Sequence, residues 1–316
     1  MSAPDPASSP SRDALVPPFF TRWPAAIVLV LLCATVYLTA LGSRPLWDGD
    51  EGLHAATSRD MVLTGNWITP YANGEPFFDK PAFFNWAVAA SFELFGFTEF
   101  AARLPAALFG TACVLALWFF GSRMFDPLTG FFGAAALATS VQFVILSRTI
   151  VHDIALALFI TLTLGSFFLA YRSPDDRRTP WMLAVYLFSG LGVLAKGPIG
   201  VLLPGMVVFL FLLFRRRLDF ILRARLATGT LLFLAVAAPW YILIARQNPD
   251  YLQRFFLGTN FGYFFGNDTG AGHPQPWYHY IPALLGGMFP WSLALPGALW
   301  LGFRRSARPM SDAMLF

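Results

Sequence analysis

Residues 44–86 read RPLWDGDEGLHAATSRDMVLTGNWITPYANGEPFFDKPAFFNW, and they interrupt an otherwise apolar chain with concentrated acids, turn residues and a lysine. The run before them, from Pro24 to Gly42, is long enough to cross a bilayer, which takes about 20 apolar residues. The polar stretch therefore begins at a membrane face. Asp48, Asp50 and Glu51 crowd at its start, and Asp79-Lys80-Pro81 closes a loop rich in Gly, Asn and Pro. Two acidic clusters and one lysine can converge on a single pocket, so this is where chemistry is expected. On a short helix Asp50, Glu51 and His54 share one face, because residues three and four apart are neighbours. The plainer reading makes Asp48 and Asp50 caps for the turn that follows. Turn residues at Gly65, Pro70, Asn73-Gly74 and Pro76 predict an ordered loop over 61–78. The aromatic stretch 81–97 predicts a helix lying along the membrane interface, with Pro81 in its first turn.

Outward from this stretch the composition is 56% hydrophobic and 13% charged, with 34 Phe in 316 residues. A soluble globular chain carries roughly 25% charge, so the reading is an all-α polytopic membrane protein. Inside fully apolar runs periodicity is silent, and spans are counted by length between charged or Pro/Gly breaks. Eight runs result, near 24–42, 102–121, 128–147, 154–171, 181–195, 198–214, 226–245 and 281–302. The domain plan is then a disordered cytoplasmic tail at 1–23, a membrane domain at 24–302 with external loops at 43–101 and 246–280, and a cytoplasmic end at 303–316. Cys33 and Cys113 both fall inside apolar runs, where a thiol acts as a small apolar group; no disulfide framework is implied.

Short cytoplasmic loops hold an excess of Lys and Arg. With the N-terminus inside, 14 of the 22 basic residues fall on the cytoplasmic side, all of them arginine. The outer segments hold most of the acids, all four histidines (His54, His152, His273, His279) and the only two lysines, Lys80 and Lys196. The net charge of +4 is thus a matter of topology and calls for no nucleic-acid partner. No GxGxxG, GxxxxGK[ST] or GxSxG motif occurs, so a nucleotide cofactor has no visible seat.

The RPLWDGDEG start and the later FFDKP resemble the first external loop of membrane glycosyltransferases that use polyprenyl-phosphate sugars. These include the protein O-mannosyltransferases and, closer around FFDKP, the aminoarabinose transferases that modify lipid A. The resemblance covers roughly residues 40–300 and implies a GT-C glycosyltransferase-like bundle with interfacial helices in the first external loop. It implies Asp50 as the catalytic base with Glu51 beside it, and Leu53 stands where such proteins often carry an arginine. It implies a second acid in a short outer loop, a place that Asp153 fits, with His152 next to it. The turn Leu194-Ala195-Lys196-Gly197-Pro198 is also similar to one in the family, and Lys80, Lys196 and Arg254 are the expected cationic clamp on the lipid phosphate. Asp79 and His273 are the candidates for a divalent metal, although no local ligand motif links them. Family members usually continue with further spans and often an external domain, so the chain is expected to be a fragment.

The implied partners are a polyprenyl-phosphate sugar donor, a lipid or protein acceptor and membrane lipids. The implied location is a bacterial inner (cell) membrane, with the site on the extracytoplasmic side. A secondary transporter is the first rival, but such proteins tend to have repeated halves and mid-membrane ionisable groups, and no repeat is visible here. A non-catalytic scaffold is the second, and it gives no reason for DGDE and FDKP to share one loop.

Overall fold

A computed structural model describes residues 23–47, 49–261, 276–305 and 312–316. Helix α1 (Trp23–Cys33) runs into a π-helical turn, Ala34–Leu38, and the polar stretch folds as α2 (Asp50–Thr64), a two-stranded hairpin (β1 Tyr71–Ala72, β2 Glu75–Pro76) and α3 (Phe83–Phe95). The membrane bundle continues with α4 (Glu99–Met124), α5 (Pro127–Thr139), α6 (Val141–Leu146), α7 (Asp153–Arg172), α8 (Asp175–Lys196), α9 (Ile199–Phe214) and α10 (Leu226–Gln247). After a second π segment, Gln253–Phe261, come α11 (Tyr280–Gly287), α12 (Leu295–Arg305) and the short α13 (Asp312–Leu315).

Among the described residues, α4, α7, α8 and α10 are each long and apolar enough to cross a membrane, while α5, α9 and the Trp23–Leu38 segment are shorter apolar helices. Prolines 105, 180, 204 and 239 sit inside α4, α8, α9 and α10, a placement that membrane helices tolerate because neighbours satisfy the freed carbonyl groups. One core joins α1, α3, α4, α5 and α7 through buried residues such as Leu29, Phe84, Ala102, Val114 and Ile154. A second, aromatic core of Met61, Trp240, Tyr251 and Phe255 ties the polar stretch to α10 and the segment beyond it.

Each of the eight expected runs contains helix, but two are not single rods. Run 128–147 breaks at Ser140, whose extended backbone (φ −68°, ψ 132°) separates α5 from α6. In run 281–302, Tyr280–Gly287 and Trp291–Trp300 meet at 106°. The polar stretch also differs in detail. Helix α2 reaches Thr64, four residues into the expected loop, and Gly65 ends it in the left-handed region with φ 70°. Asn73 and Gly74 take positive φ of 54° and 82° between paired strands, the two-residue turn that Asn-Gly favours. Helix α3 starts at Phe83, so Pro81 precedes the first turn instead of sitting in it.

Candidate active site

The loops between α1 and α4, between α6 and α7, between α8 and α9 and after α10 all lie at one end of the bundle. Helix α2 begins there because Gly49, at φ 113° and ψ −126°, supplies a backbone that only glycine adopts easily. Asp50 and Glu51 follow at once in the first turn, where the helix dipole favours negative charge. The cap position belongs to Gly49, which has no side chain, and Asp50 is the first helical residue, so the capping reading does not describe Asp50; Asp48 lies outside the described residues.

The two neighbours then part ways. Glu51 is 5% exposed and accepts four N–H groups. Arg103 of α4 donates through Nε at 3.0 Å and Nη2 at 2.9 Å, and the amides of Trp47 and Ile150 donate at 3.0 and 3.2 Å. Burial pushes this carboxyl up, but the Arg103 and amide hydrogen bonds outweigh it and the net shift is downward. Arg103 spends its other donors on the carbonyls of Leu41, Arg44 and Pro45. Glu51 therefore has no lone pair to spare for substrate; it knots α2, α4, the 39–47 connection and the turn at Ile150 together. Asp50, one residue earlier, is exposed.

Beside Asp50 the rings of His54 and His152 meet edge to face, with centroids 4.5 Å apart. Both are buried, at 7% and 2% exposure. Burial lowers the pKa of His54; the charges of Asp50 and Asp79 pull it back up and that of Lys80 adds to the depression. Burial holds His152 well below its usual value, reinforced by His54, Lys80 and Lys196 and opposed by a hydrogen bond to the Pro81 backbone. Asp50, Asp79 and Lys80 thus act on His54, and Lys80 and Lys196 on His152.

The lysines are held by acids. Lys80 Nζ lies 2.9 Å from Asp79 Oδ2 and 3.4 Å from the Asp79 carbonyl. Lys196 Nζ lies 2.5 Å from Asp153 Oδ1. Asp153 is the first residue of α7, yet it caps nothing there: His152 holds the cap position without a side-chain bond, and the carboxylate reaches across to the end of α8. An ammonium has three donors, so each lysine keeps at least one N–H for a ligand, and both are about a quarter exposed. Arg254, on the π segment after α10, pairs with Asp250 at 3.7 Å.

The metal pairing gains no support from this geometry. Asp79 is engaged with Lys80, His273 lies outside the described residues, and among the described residues no three His, Cys, Asp or Glu side chains are grouped to hold an ion. Conversely, Arg103 was not singled out from sequence. Its signal was a lone arginine inside an apolar run, which in a membrane helix demands a buried partner.

Residues 79–243 match the family model of dolichyl-phosphate-mannose-protein mannosyltransferases. The chain belongs to this family. It is 33% identical over 290 residues to the undecaprenyl phosphate-alpha-4-amino-4-deoxy-L-arabinose arabinosyl transferase of Aeromonas salmonicida, covering 90% of this chain and 51% of that protein. The corresponding transferase of Aeromonas hydrophila is 32% identical over 302 residues, with 94% and 53% covered. Among solved structures, ArnT from Cupriavidus metallidurans bound to undecaprenyl phosphate superposes with a TM-score of 0.82 at 27% identity, covering 92% of this chain and 52% of that one. The chain thus spans about half the length of the curated relatives it matches. The expected GT-C architecture is the one found, and the membership agrees with the resemblance carried by DGDEG and FFDKP.

Proposed function

We propose that this chain is the membrane part of a glycosyltransferase that moves a sugar from a polyprenyl-phosphate donor to a lipid or protein acceptor on the outer face of the membrane. The observation that carries this reading is the contrast at the start of α2: an exposed Asp50 next to a fully engaged Glu51, with two lysines that act on the same histidine pair, in a bundle that superposes on a structure bound to undecaprenyl phosphate. Asp50 accepts the proton of the acceptor hydroxyl as its oxygen attacks the anomeric carbon. The bond from that carbon to the phosphate oxygen breaks, and polyprenyl phosphate departs with the electron pair. A positioned base of this kind contributes on the order of 10²–10⁴-fold.

Lys80 and Lys196 offer their free N–H groups to the phosphate as its charge grows, with Arg254 as the third cation. Asp79 and Asp153 hold the two ammonium groups in place, and fixed charge at the leaving oxygen stabilises the transition state without reorganisation. Glu51 is assigned a structural part in the catalytic pair: it fixes the helix turn from which Asp50 projects. The outer-face orientation rests on the arginine excess at the opposite end of the bundle. The test is to supply a synthetic short-chain polyprenyl-phosphate sugar to membranes containing the protein and to follow release of polyprenyl phosphate. Release that depends on the protein supports the reading; none above membranes lacking it, with any envelope acceptor added, contradicts it.

A further inference from the structure

Glu51 also borders a cavity of about 490 Å³. Its walls come from the connection after the first span (Leu41, Arg44, Trp47), from Arg103, and from α6 and the turn beyond it (Ile145, Arg148). Three arginines line it against one glutamate. Arg103 and Glu51 cancel each other in their ion pair. The other two have no carboxylate partner among the described residues. Arg148 is fixed by donating from Nη1 to the carbonyls of Val36 and Tyr37, at 2.7 and 2.9 Å, and from Nη2 to that of Thr39 at 2.8 Å. Three of its five N–H groups are thereby used and two remain. Arg44 has its backbone pinned, since its carbonyl accepts Arg103 Nη1 at 2.9 Å, while its side chain is exposed at the rim.

The cavity therefore combines two arginines that have no carboxylate partner among the described residues with an apolar wall of Leu41, Val144 and Ile145. It opens where an apolar helix ends and beside Trp47, which is 78% exposed. Exposed tryptophan at a span end marks the headgroup level of a bilayer. We propose that this cavity is a binding site for a phosphate carried by an anionic lipid of the surrounding bilayer, separate from the Lys80–Lys196 site and walled off from it by the Glu51–Arg103 pair. Guanidinium groups suit this ligand because their planar fork matches phosphate oxygens, and the apolar wall takes the first part of an acyl chain. Four residues separate Arg148 from Asp153, so an occupied cavity steadies the turn that presents Asp153 and His152.

The test uses the purified full chain and native mass spectrometry after exchange into micelles doped with phosphatidylglycerol or phosphatidylcholine. The account expects one retained phosphatidylglycerol, retained in preference to phosphatidylcholine and weakened about tenfold by Arg44→Gln, the loss of one charge-assisted contact. Val144→Trp, which fills the cavity while leaving both arginines, should weaken it as well. Lys80→Ala should leave retention unchanged, which separates this site from the donor site: retention lost in Lys80→Ala and kept in Arg44→Gln overturns the proposal whatever the fate of the functional reading. Competition by millimolar inorganic phosphate tests the source of the anion. Displacement of the lipid by phosphate alone at equal concentration would make the site one for a free anion and would also overturn it.

Discussion

Asp50 and Glu51 are adjacent, chemically alike and both in the first turn of α2, yet they occupy opposite situations. Glu51 is buried with four N–H donors on its two oxygens, whereas Asp50 is exposed. One step along a helix turns a side chain by about 100°, and here that step crosses from the wall of the bundle to its mouth. A carboxylate with every lone pair engaged serves the fold; one with lone pairs free can take a proton. The same contrast separates Arg103, fully used, from Lys80 and Lys196, each held by one acid with donors left over.

The largest expected effect comes from breaking the wall. Glu51→Ala leaves Arg103 buried without its counter-charge, a change that costs about 3–5 kcal/mol. The midpoint of thermal unfolding of the purified protein should fall steeply, and Arg103→Ala should behave alike. An unfolding midpoint unchanged from wild type in Glu51→Ala would erase the distinction between wall and mouth.

Next in size is the lysine rim. A charge-assisted contact in a partly dry pocket is worth roughly 1.5–3 kcal/mol, so Lys80→Ala should weaken binding of a short-chain polyprenyl phosphate by on the order of tenfold to a hundredfold. Lys80→Arg should restore only part of it, because a planar fork does not replace a point charge. Titration followed by intrinsic fluorescence reads both, and unchanged affinity in Lys80→Ala would remove the clamp.

Another effect separates the two regions by pH. His54 and His152 have folded pKa values depressed below the unfolded value, so the unfolded chain binds protons that the folded one refuses. Stability is then fully present above about pH 6.5 and falls as the pH drops below it, by up to about 1.4 kcal/mol per pH unit for each histidine. Glu51 is also depressed, and its contribution is lost only at lower pH, below the ordinary carboxylate value. Unfolding midpoints between pH 5 and 8 should show the histidine limb, and His54→Gln should reduce its slope. A flat profile in wild type would mean that the imidazoles are not held neutral.

The smallest perturbation tests orientation. Cys33 and Cys113 are buried, so a new cysteine reports alone. Glu75→Cys on the hairpin should react with an impermeant thiol reagent applied outside, and Asp175→Cys at the opposite end should not. The reverse pattern would invert the topology.

Much of this was legible in the sequence. Eight apolar runs were visible because length and hydropathy are local, and the α2 start, the Asn-Gly turn and the grouping of DGDE with FDKP follow from residues close together in the chain. The break at Ser140 and the 106° bend between the last two apolar helices were not, because uniformly apolar sequence carries no period to interrupt. The division of labour between Asp50 and Glu51 was hidden for another reason: it depends on Arg103, 52 positions away, and on an amide at Ile150. The Asp153–Lys196 pair likewise joins the start of α7 to the end of α8, and no spacing rule connects them.

In this reading Asp50 is the base and Glu51 its support. The most direct measurement compares Asp50→Asn with wild type for sugar transfer, donor binding and unfolding midpoint in the same membranes and detergent. Transfer in Asp50→Asn should fall by at least about 100-fold, with donor affinity and unfolding midpoint at the wild-type values; transfer within a few-fold of wild type would rule Asp50 out as the base.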